Sequence, residues 1–182
     1  ILDDALIRTE YQYDPFHIND VHPFNDPKTG ETIVFMSLRQ FGLLSFNLDT
    51  SKLIWSIVGA TEAQHDVSPL NKNGDVISIF NNGSPKNNLI NNDFQNSLIV
   101  ISNLPTSQVN KNPSYFYGGN LKAFGLGYEK YTFDFLPKEL RPQTATQGRG
   151  KISKDRRYLF VEETDEGRVF EVDLKEKKIL WS

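Results

Sequence analysis

One pattern occurs twice in the sequence, and this repeat restricts the fold more than any other feature. In the first third of the chain, residues Gly42–Asp49 form a largely apolar stretch, and a polar turn leads to Lys52–Ser56. At the end of the chain, Gly167–Asp173 is followed in the same way by Lys178–Ser182. Each unit begins with glycine, passes through aspartate and closes on Trp-Ser. An internal repeat of about four short strands is the sequence mark of a β-propeller blade.

Strand patterns also fill most of the remaining chain. Short β-branched and apolar runs alternate with Asn-, Gly- and Pro-rich turns, whereas long amphipathic helical periodicity is absent. Segment 81–96 is predicted to be a loop, and 137–142 at most a short helical turn. The predicted strands are 14–21, 32–38, 41–49, 52–59, 64–70, 75–80, 97–102 and 128–135, followed by the C-terminal repeat.

We therefore predict an all-β fold, with residues 1–182 forming a single partial β-propeller domain. About three four-stranded blades are expected, at approximately 10–59, 60–136 and 143–182. Propellers close as rings of about four to eight blades. We expect these blades to belong to a larger ring, completed by further chain or by a homo-oligomer.

Composition excludes several classes of partner and site. The formal net charge is −3, without a basic cluster, so neither nucleic acid nor an anionic membrane surface is an expected partner. No apolar run approaches the ~20 residues of a membrane span. The chain contains no cysteine, which excludes disulfides, cysteine-ligated zinc and cysteine nucleophiles.

The stretch 14–21 combines a strand pattern with chemically active side chains. In an extended strand His17 and Asn19 share one face, whereas Ile18 and Asp20 point the other way. This pattern predicts a strand that is packed on one side and presents polar groups on the other. Three polar residues further along the chain are candidate partners for that polar face: Arg39, Gln64 and His65.

The order of these residues resembles the arylsulfotransferase family, in its bacterial arylsulfate sulfotransferase type rather than the nucleotide-dependent cytosolic enzymes. The resemblance is close over roughly 14–83, and the C-terminal unit matches as a later blade. It rests on Asp14-Pro-Phe-His17-Ile-Asn19, Ser37-Leu-Arg39, Gly42-Leu-Leu, Gln64-His65-Asp66, Asn71-x-Asn73-Gly74-Asp75 and Phe80-Asn81-Asn82-Gly83. Family members are six-bladed propellers whose active site lies in the central channel. Their site includes a further histidine from an earlier blade, and no residue before Asp14 matches it.

The resemblance implies a role for each candidate residue. His65 would be the nucleophile that accepts the sulfuryl group, and His17, Asn19 and Arg39 would hold the sulfuryl oxygens and assist transfer. Gln64 and Phe41 are predicted to contact the substrate. The expected reaction moves a sulfuryl group from an aryl sulfate to a phenolic acceptor with ping-pong kinetics, without cofactor or metal. A periplasmic or secreted location is also expected.

Other interpretations of the same residues stay open at this point. His17 and Asn19 could be structural, Arg39 could be a solvated charge or part of an ion pair, and Asp66 could simply hold His65. His22 has the opposite parity to His17 and is interpreted as structural. The chain could therefore be a non-catalytic binding scaffold. Alternatively, it could be a propeller like those of quinone-dependent dehydrogenases, which share the repeat.

Two further kinds of site are weakly indicated. Gly118-Gly119 and Gly125-x-Gly127 are reminiscent of phosphate-binding loops, but a helix pattern does not follow them. The three histidines lack a compact metal-ligand spacing.

Overall fold

The computed structural model describes residues 17–39, 41–83, 96–144 and 147–182. Within these ranges the chain is almost wholly β, which confirms the predicted fold class. The strands are β1 (Ile18–Asn25), β2 (Thr32–Leu38), β3 (Gly42–Asn47), β4 (Lys52–Val58), β5 (His65–Pro69), β6 (Ile77–Asn81), β7 (Ser97–Ser102), β8 (Ser114–Tyr117), β9 (Gly127–Thr132), β10 (Arg149–Ile152), β11 (Tyr158–Glu163), β12 (Arg168–Asp173) and β13 (Lys178–Trp181).

The strands form three successive sheets with the order expected of propeller blades. Sheet 1 has the order β1-β2-β3-β4, sheet 2 β5-β6-β7-β9 and sheet 3 β10-β11-β12-β13, with antiparallel neighbours. The exception is β8, which leaves the second unit and pairs in parallel with β4. Sheet 1 therefore has five strands instead of the predicted four. A 3₁₀ turn at Lys138–Leu140 lies where the sequence predicted a short helical turn.

Sheet 2 is covered on both faces, and this explains its continuous apolar strands. Every residue of β6 is buried, as are nearly all of β7. Because successive side chains point to opposite faces, such runs indicate a strand with protein on each side. Ile77, Ile79, Ile99 and Ile101 pack with sheet 1, whereas Phe80, Leu98 and Val100 pack with sheet 3. The sheets thus stack face to face, as blades of a propeller do.

The internal repeat corresponds to the β3–β4 pair of sheet 1 and the β12–β13 pair of sheet 3. Trp55 lies opposite Ser45, Trp181 lies opposite Glu171, and a register shift follows at the same place in both pairs. The two tryptophans are therefore structurally equivalent. Their surroundings differ, because Trp55 is fully buried and Trp181 is 48% exposed.

The register corrects one detail of the repeat. The sequence pattern aligned Asp49 with Asp173. In the structure Asn47 is the equivalent of Asp173, because Asn47 pairs with Lys52 as Asp173 pairs with Lys178. Both of these side chains accept hydrogen bonds from the turn that follows, Asn47 from the N–H of Thr50 at 3.0 Å. Asp49 instead accepts the N–H of Thr32 at 2.6 Å.

The first strands of the three sheets lie next to one another. Strand β5 contacts β1 and β2 on one side and β10 on the other. His65 is the first residue of β5, and His17 directly precedes β1. The two histidines therefore lie at the inner strands of neighbouring sheets, as predicted.

Gly42 provides a test of the packing between β3 and β4. Its φ is +139°, and a Cβ atom there would lie 2.0 Å from the carbonyl oxygen of Ile57. We expect Gly42→Ala to lower the free energy of unfolding by about 3 kcal/mol or more, because backbone strain and a steric clash act together. Gly30→Ala is the control, since its φ is +74° but nothing lies within 4 Å; about 1 kcal/mol is expected. Denaturant unfolding followed by circular dichroism measures both, and equal losses would contradict the packing argument.

Candidate active site

A cavity of about 430 Å³ lies where the first strands of the three sheets meet. It is open on one side and mostly polar. Its lining among the described residues is His17, Ile18, Asn19, Asp20, His65, Asp66, Gln147, Arg149, Glu162 and Thr164. Three of the four predicted catalytic residues, His17, Asn19 and His65, are thus brought together around one space.

A β-bulge at the start of β5 places His65 and Asp66 side by side in this cavity. The pairing with β6 shifts register between His65 and Ser68, and Asp66 has a φ of +52°. In a regular strand two consecutive side chains would point to opposite faces. The bulge removes this alternation and re-aims the side chains, so both residues line the cavity.

The contacts of His65 define the orientation of its ring. Its Nδ1 lies 3.1 Å from the carbonyl oxygen of Ala63 and 3.1 Å from the side-chain amide of Asn82. The two contacts require opposite protonation of Nδ1, because the Ala63 carbonyl can only accept from a protonated Nδ1, whereas the Asn82 amide nitrogen can only donate to an unprotonated one. We assign the proton to Nδ1, since the Ala63 carbonyl can only accept, whereas a rotated Asn82 side-chain amide would turn its oxygen towards the ring. Asn82 is itself held by Asn96, whose Nδ2 donates to the Asn82 carbonyl at 2.6 Å. Nε2 is left as the unprotonated nitrogen of the neutral ring.

Burial lowers the pKa of His65 below its ordinary value. The hydrogen bond with the Ala63 carbonyl acts in the opposite direction, but the positive charges of Arg39, His17 and Arg149 lower the pKa further. The side chain is only 9% exposed. Burial therefore favours a neutral imidazole at His65, with arginine side chains near the ring and the carboxyl groups of Asp20, Asp66 and Glu162 in the same cavity.

Arg39, the fourth predicted catalytic residue, lies beside His17 at the end of the β1–β2 pair. Its backbone N–H donates to the carbonyl oxygen of His17 at 2.8 Å. Among the described residues, the half-buried Arg39 side chain is not part of the cavity lining. Its positive charge nevertheless lowers the pKa of His65. Arg39 thus belongs to the surroundings of the nucleophile candidate.

Asn19 connects sheet 1 to sheet 2. Its Nδ2 donates to the backbone carbonyl of Gln64 at 2.8 Å. The β1–β2 register shifts between Ile18 and Asp20, so the alternation predicted for this stretch is wrong here. Residues 17–20 all line the cavity, and Ile18, which was expected to pack inward, is 55% exposed. The part of the predicted strand before His17 lies outside the described residues.

Gln64 and Phe41, predicted to contact the substrate, make structural contacts instead. The Gln64 side chain is fully buried, and its Nε2 donates to the carbonyls of Leu38 at 2.7 Å and Gly42 at 2.9 Å. Phe41 is 8% exposed and packs with Leu38 and Val58. Within the described chain neither residue lines the cavity. Gln64 thus connects sheet 1 to the start of β5, whereas the predicted contact of either residue with a substrate stays a prediction.

Asp66 connects sheet 2 to sheet 3. Its Oδ2 accepts the backbone N–H of Gly150 at 3.1 Å, and its Oδ1 accepts the Ser68 hydroxyl at 3.2 Å. Close packing supports this connection, because a Cβ atom on Gly150 would lie 2.8 Å from the ring of Phe80. The beginning of β10 is thus held next to His65.

Sequence reasoning missed several residues around His65. Asp66 and Asn82 were already part of the motifs that carried the family resemblance, so their order along the chain was the available signal. Asp20 was assigned to the opposite face of its strand. Burial raises the pKa of Asp20, and the neighbouring negative charge of Asp66 raises it further. For Arg149, which comes from the third sheet, no local pattern indicated a role.

The described residues contain no helix that is long and apolar enough to cross a membrane. They also contain no group of three or more His, Asp or Glu side chains arranged to hold a metal ion.

The match to a family model covers almost the whole sequence. The arylsulfotransferase (ASST) model matches residues 2–182. The chain belongs to the arylsulfotransferase family. This confirms the resemblance inferred from the motifs and extends it to the third sheet. Membership supports a transferase that acts on an aryl sulfate donor and a phenol acceptor. No curated protein matches the sequence.

The contacts of Gln64 lead to a testable prediction. Gln64→Leu removes the donors to two carbonyls in a fully buried position, and unsatisfied buried groups cost roughly 1–3 kcal/mol each. We expect the free energy of unfolding to fall by about 2–4 kcal/mol. The control is Gln108→Leu, because Gln108 makes one such bond, to the Leu53 carbonyl at 2.8 Å, in a half-buried position. If both variants lost the same stability in urea titrations, Gln64 would not be the connection we describe.

Proposed function

We propose that this protein transfers a sulfuryl group from an aryl sulfate to a phenol through a covalent intermediate on His65. The observation that carries the proposal is the setting of His65. Its Nδ1 is held by the Ala63 carbonyl, its pKa is lowered by burial, and the cavity it lines is flanked by cationic groups. A neutral imidazole with a fixed tautomer is a competent nucleophile near pH 7.

In the first half-reaction the Nε2 lone pair of His65 attacks the sulfur of the donor. An N–S bond forms while the S–O bond to the aryl group breaks, and the electron pair of that bond leaves on the phenolate. A phenol has a pKa near ~10, so proton donation to the departing oxygen assists the step. His17, which lines the same cavity, is the group we assign to this role.

The sulfuryl oxygens need positive partners in the transition state. Arg39 is close enough for its charge to act on His65, and a guanidinium is well suited to bind such oxygens. Asn19 uses one amide hydrogen to bind the Gln64 carbonyl, so its second hydrogen is left for a substrate oxygen.

In the second half-reaction a phenol enters the emptied site and attacks the sulfur of the modified histidine. The N–S bond breaks, a new S–O bond forms, and the phenolic proton passes to the imidazole of His17. The donor product leaves before the acceptor reacts, so ping-pong kinetics are expected. The predicted location, periplasmic or secreted, and the completion of the ring by further blades or by an oligomer are also part of this proposal.

The covalent intermediate gives a direct test. Brief exposure of the intact protein to 4-nitrophenyl sulfate should add ~80 Da at His65, detected by mass spectrometry of peptides, because the transferred SO3 group is added at the Nε2 lone pair. His65→Ala should carry no adduct and show no turnover.

His22→Ala is the matched control, since His22 lies on the same strand as the site but does not line the cavity within the described chain. It should retain both adduct and turnover. Turnover without any adduct, or full activity in His65→Ala, would contradict the nucleophile assignment. A protein that neither carries an adduct nor turns over any sulfate ester would favour the binding-scaffold alternative.

The lowered pKa of His65 predicts the pH dependence of the first half-reaction. Protonation removes the attacking lone pair, so the rate falls only when the pH drops through the pKa of His65. Because that pKa lies below the ordinary 6.5, protonation of His65 should cause little loss of the single-turnover rate as the pH falls from 8 to 7. NMR titration of His65 should give a midpoint below 6.5. A midpoint at or above that value would contradict the electrostatic account.

A further inference from the structure

Arg149 lines the cavity from sheet 3, on the side away from His17 and Arg39. It is the first residue of β10, and β5, which carries His65, lies between β10 and β1. The hydrogen bond from the Gly150 N–H to Asp66 holds this strand end beside the His65–Asp66 bulge. The positive charge of Arg149 also acts on His65. The backbone around Arg149 is therefore fixed next to the His65–Asp66 bulge.

The packing of β10 leaves the Arg149 side chain only one direction. Its neighbours Gly148 and Gly150 are buried against Phe80, where a Cβ atom on Gly148 would lie 2.3 Å from the ring. Side chains alternate along a strand, so Arg149 points away from Phe80. This is the direction of the cavity that Arg149 lines.

The ordinary interpretation of an arginine on a strand is an ion pair or a solvated charge, and the neighbouring arginines follow it. Arg157 pairs with Asp173 at 2.8 Å, and Arg168 pairs with Glu163 at 2.6 Å. Arg149 also has a carboxylate directly opposite, since Glu162 is its partner in the β10–β11 register. Within the described part of the chain, the guanidinium nevertheless forms no ion pair or hydrogen bond. Its donors are available to a ligand in the cavity.

A guanidinium has five N–H donors in a planar fork that matches the oxygens of a tetrahedral anion. The other titratable groups of the lining are the carboxyl groups of Asp20, Asp66 and Glu162 together with the two histidines. Two of these carboxylates already have partners, because Asp66 accepts hydrogen bonds from Gly150 and Ser68, and Asp20 accepts backbone N–H groups of Val67 and Val21. Arg149 is thus the cationic donor that sheet 3 offers to an anion near His65.

We propose that Arg149 is a further anion-binding residue of this site and holds the sulfonate oxygens of the substrate from the side of sheet 3. The inference rests on the proposed function, because it assigns Arg149 to the same sulfuryl group. Arg39 from sheet 1 and Arg149 from sheet 3 then flank the sulfuryl group on either side of His65, before and after the group is transferred to Nε2.

Binding of a non-transferable anion tests this role without requiring catalysis. The probe is 4-methylbenzenesulfonate, whose sulfur is bonded to carbon and is not transferred, titrated into the intact protein by calorimetry. We expect Arg149→Gln to weaken binding by about tenfold or more, the usual loss for a hydrogen bond to a charged group. Arg149→Lys should restore part of the affinity, because the lysine ammonium keeps the positive charge but lacks the planar arrangement of N–H donors.

Lys151→Gln is the matched control, because it removes the same charge from an exposed position of the same strand outside the cavity lining. It should change binding by less than about twofold. A second readout is the NMR titration of His65, whose pKa should rise in Arg149→Gln and not in Lys151→Gln. Circular dichroism of each variant checks that the fold is retained.

Unchanged binding in Arg149→Gln, or an equal loss in Lys151→Gln, would overturn the assignment. The outcomes also separate this inference from the proposed function. An adduct on His65 combined with unchanged sulfonate binding in Arg149→Gln would reject Arg149 and keep the sulfotransferase mechanism. Arg149-dependent binding in a protein that never forms the adduct would keep Arg149 as an anion-binding residue and reject the mechanism.

Discussion

Three consecutive residues, Gln64, His65 and Asp66, join the three sheets, and the site depends on their hydrogen bonds. The Gln64 carbonyl accepts the side chains of Asn19 and Ser37 from sheet 1, and its own amide donates back to two carbonyls of that sheet. Asp66 accepts the Gly150 N–H from sheet 3. These hydrogen bonds are buried or half-buried. In such surroundings a donor or acceptor left without a partner costs more free energy than a formed hydrogen bond contributes. The relative placement of the sheets and the position of the candidate nucleophile therefore have the same physical cause.

Because the site lies where the sheets meet, it collects charges that are distant in the chain. A cationic residue from sheet 1 and another from sheet 3 stand on either side of His65, and both favour its neutral form. The carboxylates of Asp20 and Asp66 lie in the same cavity, and burial together with the negative charge of Asp66 raises the pKa of Asp20. A neutral histidine near two arginines suits the sulfuryl transfer that we propose, because positive charge stabilises an anionic group in the transition state.

Much of the fold and part of the site could be predicted from sequence patterns. Alternating and continuous apolar runs located most strands, since strand periodicity is a local property, and the Trp-Ser repeat identified two equivalent hairpins. The order of the motifs predicted that His17, Asn19 and His65 share one site, and all three line the same cavity. The faces of residues 17–20 were predicted wrongly, because a bulge broke the alternation on which the prediction relied. Gln64 was assigned to the substrate since its motif position said nothing about its burial.

The sequence by itself determined the class of fold and the repeated hairpin, and it indicated the candidate nucleophile, because each of these signals lies in residues that are close together in the chain. Only the tertiary structure decided which side chains reach that histidine. The fifth strand of sheet 1, the connection through Gly150 and the unpaired guanidinium of Arg149 within the described chain all come from contacts between distant segments. Such contacts depend on how sheets stack and where bulges turn a strand, and these are determined by packing across the whole assembly of sheets.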